Sequence, residues 1–100
     1  MKYNKLVRDK VPEIITSKGE ACMTHIASDA EYWEKLTEKL VEEAGEFREG
    51  GTIEELSDVL EVADAIANYK GFDQAMIRDI RDRKIAEKGG FSGRIILDES

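Results

Sequence analysis

Residues 41–47, Val-Glu-Glu-Ala-Gly-Glu-Phe, and residues 55–58, Glu-Leu-Ser-Asp, stand on either side of Gly50-Gly51. In both stretches, acidic residues lie beside apolar residues that recur with the period of an α-helix. Because a Gly-Gly pair leaves room only for a tight reversal, we expect the two helices to lie antiparallel and in contact. The apolar positions of the first of these helices are Trp33, Leu36, Leu40, Ala44 and Phe47.

Four carboxylates are expected to converge from these two helices. Counting outward from the reversal pairs Glu46 with Glu55, and Glu43 with Asp58. Such a cluster repels itself strongly in a partly buried site unless a cation neutralises it. Oxygen ligands with room for water suit Mg²⁺ or Mn²⁺ better than Zn²⁺. The sequence therefore predicts a Mg²⁺ site held by Glu43, Glu46, Glu55 and Asp58, with Mn²⁺ as a second candidate ion.

A simpler interpretation of the same residues stands beside this one. Acidic residues on an amphipathic helix commonly form a solvated face. Thr52-x-x-Glu55 also matches a capping box, in which Glu55 would close the start of its own helix. The repeated spacing on both helices favours the metal site over the simpler interpretation.

The size and composition of the chain indicate one domain, residues 1–100. The chain is 37% charged and 41% hydrophobic, as is typical of a soluble helical domain. It contains no apolar run as long as a membrane span and no signal-peptide core, so we expect a cytoplasmic protein with no membrane partner. A net charge of −7 argues against a nucleic-acid duplex as partner. Cys22 is alone, so we expect no disulfide and a partly buried thiol.

Helix start and stop signals divide the chain into four helices. The expected boundaries are Asp9 to Gly19, Asp29 to Arg48, Thr52 to Tyr69, and a last helix that starts at Asp73. Residues 20–27 and 92–97 are predicted as short extended segments that pair with each other. The predicted fold class is therefore all-α, a four-helix-bundle-type domain of antiparallel helices with a short two-stranded β appendage.

The third helix carries more apolar residues than one narrow face holds. Its main stripe is widened on one side by further apolar residues, and we expect the second apolar side to be buried against another copy of the chain. The sequence therefore predicts a homodimer or a dimer of dimers. The main stripe consists of Ile53, Leu56, Leu60, Ala63 and Ala67, and the widened side of Val59, Val62, Ile66 and Tyr69.

These motifs resemble those of a known superfamily. Glu42-Glu43-x-x-Glu46 and Glu55-x-x-Asp58 are similar to the EExxE and ExxD motifs of the all-α nucleoside triphosphate pyrophosphohydrolases, which include the MazG-like and phosphoribosyl-ATP pyrophosphohydrolase-like proteins. The opening, residues 3–15, resembles the "YNKLVRDKIPEII" start of a small branch of that superfamily. The ending Lys88-Gly89-Gly90-Phe91 is also similar to that branch, so the likeness covers nearly the whole chain.

The chain departs from the superfamily pattern in one respect. Only eight residues separate Glu46 from Glu55, whereas the MazG pattern has a longer spacer between its two carboxylate motifs. Pairing Glu46 with Glu61-x-x-Asp64 would restore a longer spacer. A helical wheel places Glu61 on the outer face, so we prefer Glu55 and Asp58 and keep Glu61 as a reserve ligand.

The resemblance implies Mg²⁺-dependent hydrolysis of a nucleotide between its α and β phosphates, which gives a monophosphate and pyrophosphate. Glu42 or Glu46 is the expected base for the attacking water, although Glu42 points outward on an isolated helix. The nucleotide is left open: phosphoribosyl-ATP, a noncanonical triphosphate, or a dUTP-like or dCTP-like substrate. The alternative function is a non-catalytic acidic helical module for dimerisation. The residues expected to bind the substrate phosphates are Arg8, Lys10, Arg81, Lys84 and Lys88.

Overall fold

A computed structural model describes residues 4–100 as an all-α chain with no strand among them. Tyr3, the first residue of the opening motif, lies outside the described residues. The chain divides into two compact units, one that extends to Ile66 and one from Ala67 to Ser100. The helices are α1 (Val11–Ser17), α2 (Asp29–Gly50), α3 (Ile53–Lys70) and α4 (Gln74–Lys88). The expected all-α class is confirmed.

The N-cap of the first helix lies one residue later than predicted. Lys10 holds the N-cap position with helical dihedrals and no capping side chain, so the prediction of Asp9 as cap is wrong. The reason is a turn that precedes the helix, in which the Val11 amide donates to the Arg8 carbonyl at 3.0 Å. The helix ends at Ser17, two residues before the predicted stop Gly19, whose φ of 79° is the left-handed conformation that glycine adopts at little cost.

The second helix begins as predicted and ends later than predicted. The Ser28 hydroxyl accepts a hydrogen bond from the Glu31 amide at 3.3 Å, which satisfies one free donor of the first turn. The helix continues to Gly50 because the left-handed turn occurs at Gly51, whose amide donates to the Phe47 carbonyl at 2.7 Å. Gly51 and Thr52 alone therefore join α2 to α3, and so short a connection makes the two helices a hairpin.

The last two helices have the predicted stop and start signals. At the end of α3, Gly71 has φ 72° and the Phe72 amide donates to the Ala67 carbonyl at 2.9 Å. The Asp73 carboxylate then accepts from the Ala75 amide at 3.0 Å and caps α4. A groove of about 470 Å³ in this second unit is lined by Gly71, Phe72, Asp73, Met76, Ile77 and Ile80.

The predicted β appendage is not formed by the residues that the structure describes. Residues 20–27 and 92–97 are both irregular, so the prediction of two paired strands is wrong. Met23 and Ile26 are 99% and 96% exposed, so the two largest apolar side chains of the first segment are almost fully solvent-accessible. Arg94 has φ 58° and its amide donates to the Phe91 carbonyl, which makes a turn at the point where the second strand was expected. Two short strands without an apolar face to cover are at best marginally stable.

The core of the first unit lies on the widened side of α3. Leu36 of α2 is 1% exposed and Val62 of α3 is 7% exposed. The large residues of the main stripe predicted for α3 face outward instead, since Ile53, Leu56 and Leu60 are 81%, 42% and 58% exposed. Ala67, at the end of that stripe, is 5% exposed. Helical periodicity alone cannot decide which of two adjacent apolar sides packs inside. None of the helices in residues 4–100 combines the length and apolar character that crossing a lipid bilayer requires.

Replacing Leu36 by Ala tests where the core lies. Because the Leu36 side chain is fully enclosed, we expect Leu36→Ala to lower the free energy of unfolding by about 2–5 kcal/mol. The matched control Leu97→Ala removes the same atoms from a side chain that is 76% exposed, and should change stability by less than about 0.5 kcal/mol. Urea denaturation followed by circular dichroism measures both, and equal losses would contradict this assignment of the core.

Candidate metal centre

Three carboxylates of α2 form the acidic cluster of the first unit. Glu42, Glu43 and Glu46 each place one carboxylate oxygen within 4.8 Å of the others. Glu46 lies three residues after Glu43 and four after Glu42, spacings that make it a neighbour of both on the helix surface. The group contains only oxygen ligands, which fits a hard cation such as Mg²⁺ or Mn²⁺ and does not fit a metal that needs sulfur or imidazole.

Glu43 is the central and least accessible member of the cluster. The residue is only 9% exposed, and Lys39 Nζ lies 3.6 Å from its Oε1 one turn earlier on α2. A hydrogen bond from the Glu46 carboxyl to Glu43, together with the negative charge of Glu43, raises the pKa of Glu46 above its usual 4.5. The charge of Glu42 raises that pKa further, and Lys39 opposes the change. The cluster therefore holds more negative charge than Lys39 neutralises.

Glu42 joins the cluster although a helical wheel points it outward. Its side chain is 39% exposed, and Lys5 Nζ lies 3.6 Å from its Oε1. A long, flexible side chain reaches around the helix to oxygens that its Cβ direction does not face. Glu42 therefore lies close to the other two carboxylates within one chain, and its role as the base stays a prediction.

Glu55 closes the start of α3 as the capping-box interpretation predicts. Its Oε1 accepts from the Thr52 amide at 3.2 Å and from the Thr52 hydroxyl at 2.9 Å. In return, the Glu55 amide donates to Thr52 Oγ1 at 3.2 Å. The carboxylate lies against Gly50, where an added methyl group would overlap it. The backbone at the α2–α3 turn thus holds Glu55 outside the acidic cluster.

Asp58 is held by a basic side chain from the opening of the chain. Arg8 Nη2 donates to Asp58 Oδ1 at 3.0 Å, and Arg8 Nη1 lies 3.9 Å from Glu61 Oε1. The structure therefore brings Glu43 and Glu46 together but leaves Glu55 and Asp58 with partners of their own. A role for these two α3 carboxylates as metal ligands stays a prediction, and it requires each side chain to leave its present partner.

The cations predicted to bind phosphate are divided between the two units. Arg8 is engaged with the two acidic residues of α3, and Lys10 is exposed at the start of α1. The three cations of the second unit lie on α4, where they are exposed. Their role in binding phosphate stays a prediction. These α4 residues are Arg81, Lys84 and Lys88.

Sequence reasoning missed the contacts of Lys5 with α2 and of Arg8 with α3. The only available signal was their spacing of three residues in a basic opening that precedes two acidic helices. Sequence reasoning also identified no partner for His25, whose Nε2 lies 2.8 Å from Glu31 Oε1. Cys22 is half-buried with Sγ 3.8 Å from the Pro12 carbonyl oxygen, which confirms the prediction of a partly buried thiol.

Comparison with known proteins identifies a relative in Mycolicibacterium smegmatis (strain ATCC 700084 / mc(2)155), described as an uncharacterized protein. The two chains are 44% identical over 48 residues. The matched stretch covers 48% of this chain and 49% of the relative, so the chain spans about half the length of that relative. No family model and no solved structure matches the chain.

Replacing Glu46 by Gln tests the repulsion within the cluster. The folded chain holds the Glu46 proton more tightly than the unfolded chain, because the pKa is raised on folding. The resulting loss of stability is absent below the usual pKa of 4.5 and grows as pH rises through the folded pKa. In EDTA, we expect Glu46→Gln to raise Tm at about pH 7 and to have little effect at about pH 4. Exposed Glu34→Gln on the same helix is the control, and an equal Tm gain in both variants would contradict this account.

Proposed function

We propose that this chain is a Mg²⁺-dependent nucleotide pyrophosphohydrolase, which cleaves the α–β phosphoanhydride of a nucleoside triphosphate or of phosphoribosyl-ATP. The products are a monophosphate and pyrophosphate. The observation that carries the proposal is the cluster of Glu42, Glu43 and Glu46, whose oxygens lie within 4.8 Å of one another around an almost buried Glu43. The resemblance of this motif, of Glu55-x-x-Asp58 and of the chain opening to the pyrophosphohydrolases supports the same assignment. The proposed reaction would take place in the cytosol.

The proposed metal ligands are Glu43 and Glu46 of α2 with Glu55 and Asp58 of α3. The first two are already adjacent, and the other two would join them by leaving Thr52 and Arg8. Mg²⁺, or Mn²⁺ in its place, would supply a Lewis acid that binds phosphate oxygens and lowers the pKa of the attacking water. Glu61 would restore the longer spacer of the superfamily pattern, so it remains the reserve ligand should Glu55 keep its capping role.

The two candidates for the general base have different surroundings. Lys5 Nζ lies 3.6 Å from Glu42 Oε1, and Glu42 is not among the proposed metal ligands. Glu46 lies beside Glu43 and is itself a proposed ligand, so a bound cation would offset the repulsion that raises its pKa in the metal-free chain. Both carboxylates are kept as candidates for the base that takes the proton of the attacking water.

Positive charge for the substrate phosphates is proposed to come from basic side chains of this chain. A guanidinium or ammonium group near the transferred phosphorus offsets the charge that develops on its oxygens. Arginine suits this role because its planar group contacts two phosphate oxygens at once. The proposed phosphate-binding residues are Arg8, Lys10, Arg81, Lys84 and Lys88.

The exposed stripe of α3 supports assembly with a second copy of the chain. Ile53, Leu56 and Leu60 follow the spacing of one helical face, and each is at least 42% exposed. Val41 of α2 is 74% exposed as well. We propose a homodimer or a dimer of dimers that covers these side chains. The same face is the observation that favours the alternative function, a dimerisation module without catalysis.

Pyrophosphate release across a panel of nucleotides with Mg²⁺ or Mn²⁺ tests the catalytic proposal. We expect turnover of at least one nucleotide, and a loss of at least about a hundredfold in Glu43→Gln, because removing one charged ligand weakens the metal site. Calorimetry should show weaker Mg²⁺ binding in the same variant. Glu34→Gln, on the same helix and outside the cluster, should retain both properties. No turnover of any nucleotide, with no Mg²⁺ binding, would leave the dimerisation module as the function.

Light scattering coupled to gel filtration tests the assembly. We expect the wild-type mass to be a multiple of the 11.3 kDa chain. Leu60→Glu should shift the mass toward one chain, because a carboxylate is costly to bury in an apolar interface. Leu97→Glu, at an exposed site of the C-terminal segment, is the control and should leave the mass unchanged. A wild-type mass of 11.3 kDa at all concentrations would contradict the proposed oligomer.

A further inference from the structure

We propose that residues 4–10, here called the lead segment, act as an internal counter-ion that a divalent cation displaces. In this proposal Lys5 and Arg8 hold acidic residues of the candidate site while no metal is bound. Cation binding then releases Arg8 from Asp58 and makes its guanidinium available to the substrate phosphates. The inference rests on the proposed function and goes beyond it, since it assigns Arg8 two successive partners.

The lead segment contacts the acidic residues of two different helices. Lys5 Nζ lies 3.6 Å from Glu42 Oε1 on α2. Three residues later, Arg8 lies 3.0 Å from Asp58 and 3.9 Å from Glu61, both on α3. Asp58 is a proposed metal ligand and Glu61 is the reserve ligand. Arg8 therefore contacts a candidate α3 ligand whether the site uses Asp58 or Glu61.

The exchange replaces a singly charged counter-ion of Asp58 by a doubly charged one. A hard cation competes with Arg8 for the Asp58 oxygens, because it binds carboxylate oxygens directly. Lys5 contacts Glu42, which is not among the proposed ligands, so the displacement concerns Arg8 alone. The released Arg8 stays next to the site and adds positive charge for an anionic substrate.

The present ion pairs are accessible enough to exchange. The Arg8 and Asp58 side chains are 59% and 42% exposed, and those of Lys5 and Glu42 are 48% and 39% exposed. Ion pairs at such exposure are weak, so they do not lock the carboxylates against a competing cation. Once free, the planar guanidinium of Arg8 can contact two oxygens of a second anionic partner at once.

Nuclear magnetic resonance of the Arg8 side chain tests the displacement directly. The Arg8 Nε–Hε signal is assigned by its loss in Arg8→Gln, and its position for a released guanidinium is read from metal-free Asp58→Asn. We expect saturating Mg²⁺ to move the wild-type signal toward the Asp58→Asn position. A signal that stays in place while calorimetry shows that Mg²⁺ binds would overturn the inference and leave the proposed metal site intact.

Calorimetry with Mg²⁺ gives a second, independent measure. Removing the competing cation in Arg8→Gln should tighten Mg²⁺ binding by about two- to fivefold, as expected for the loss of one exposed ion pair. Lys18→Gln removes the same charge from an exposed residue just beyond α1 and should leave the affinity unchanged. An equal gain in both variants would show a general charge effect and overturn the displacement. Absence of any Mg²⁺ binding by the wild type would overturn both this inference and the metal site on which it rests.

Discussion

Repulsion between neighbouring carboxylates of α2 is the constraint around which the first unit is built. Glu43 is almost enclosed, and its oxygens lie close to those of Glu42 and Glu46. A buried negative charge needs a cation, a proton or a hydrogen-bond donor nearby. The chain supplies each of these in part: Lys39 beside Glu43, Lys5 beside Glu42, and a proton that Glu46 holds above its usual pKa.

The acidic residues of α3 are arranged differently from those of α2. Glu55 satisfies donors of its own helix start and Asp58 pairs with Arg8, so both are already compensated. The α2 cluster therefore has an excess of negative charge, while the α3 carboxylates have partners. A metal site with ligands on both helices requires Glu55 to leave Thr52 and Asp58 to leave Arg8. A metal site with ligands on α2 alone requires neither change. Any catalytic account of this chain has to state which of these two sites it uses.

Most features decided within a few residues could be predicted from the sequence, and features decided at long range could not. The cap of α1 is an exception, because a local turn at Arg8 places it at Lys10 and not at Asp9. The caps at Ser28 and Asp73 and the glycine at the end of α3 depend on hydrogen bonds between close neighbours, and they were predicted correctly. The contact of Arg8 with Asp58 joins residues 50 positions apart, and no periodicity reports it.

The candidate site shows the same division. The spacing of Glu43 and Glu46 fixes their proximity, because both lie on one helix. The helical wheel points Glu42 away from that pair, because a wheel shows the direction in which a side chain leaves the helix and not how far it reaches. The convergence of Glu55 and Asp58 on that pair was inferred from the turn alone. It took no account of Thr52, which offers Glu55 two hydrogen-bond donors from its own helix start.

The C-terminal segment has a consequence for solubility. Ile95, Ile96 and Leu97 are 87%, 80% and 76% exposed, and a run of β-branched and apolar residues of this kind readily stacks into intermolecular sheets. Arg94 precedes the run, and Asp98 and Glu99 follow it directly. Flanking charges act as gatekeepers, because stacking identical chains would bring like charges together. Asp98 and Glu99 thus protect an exposed, aggregation-prone segment that the helices leave uncovered.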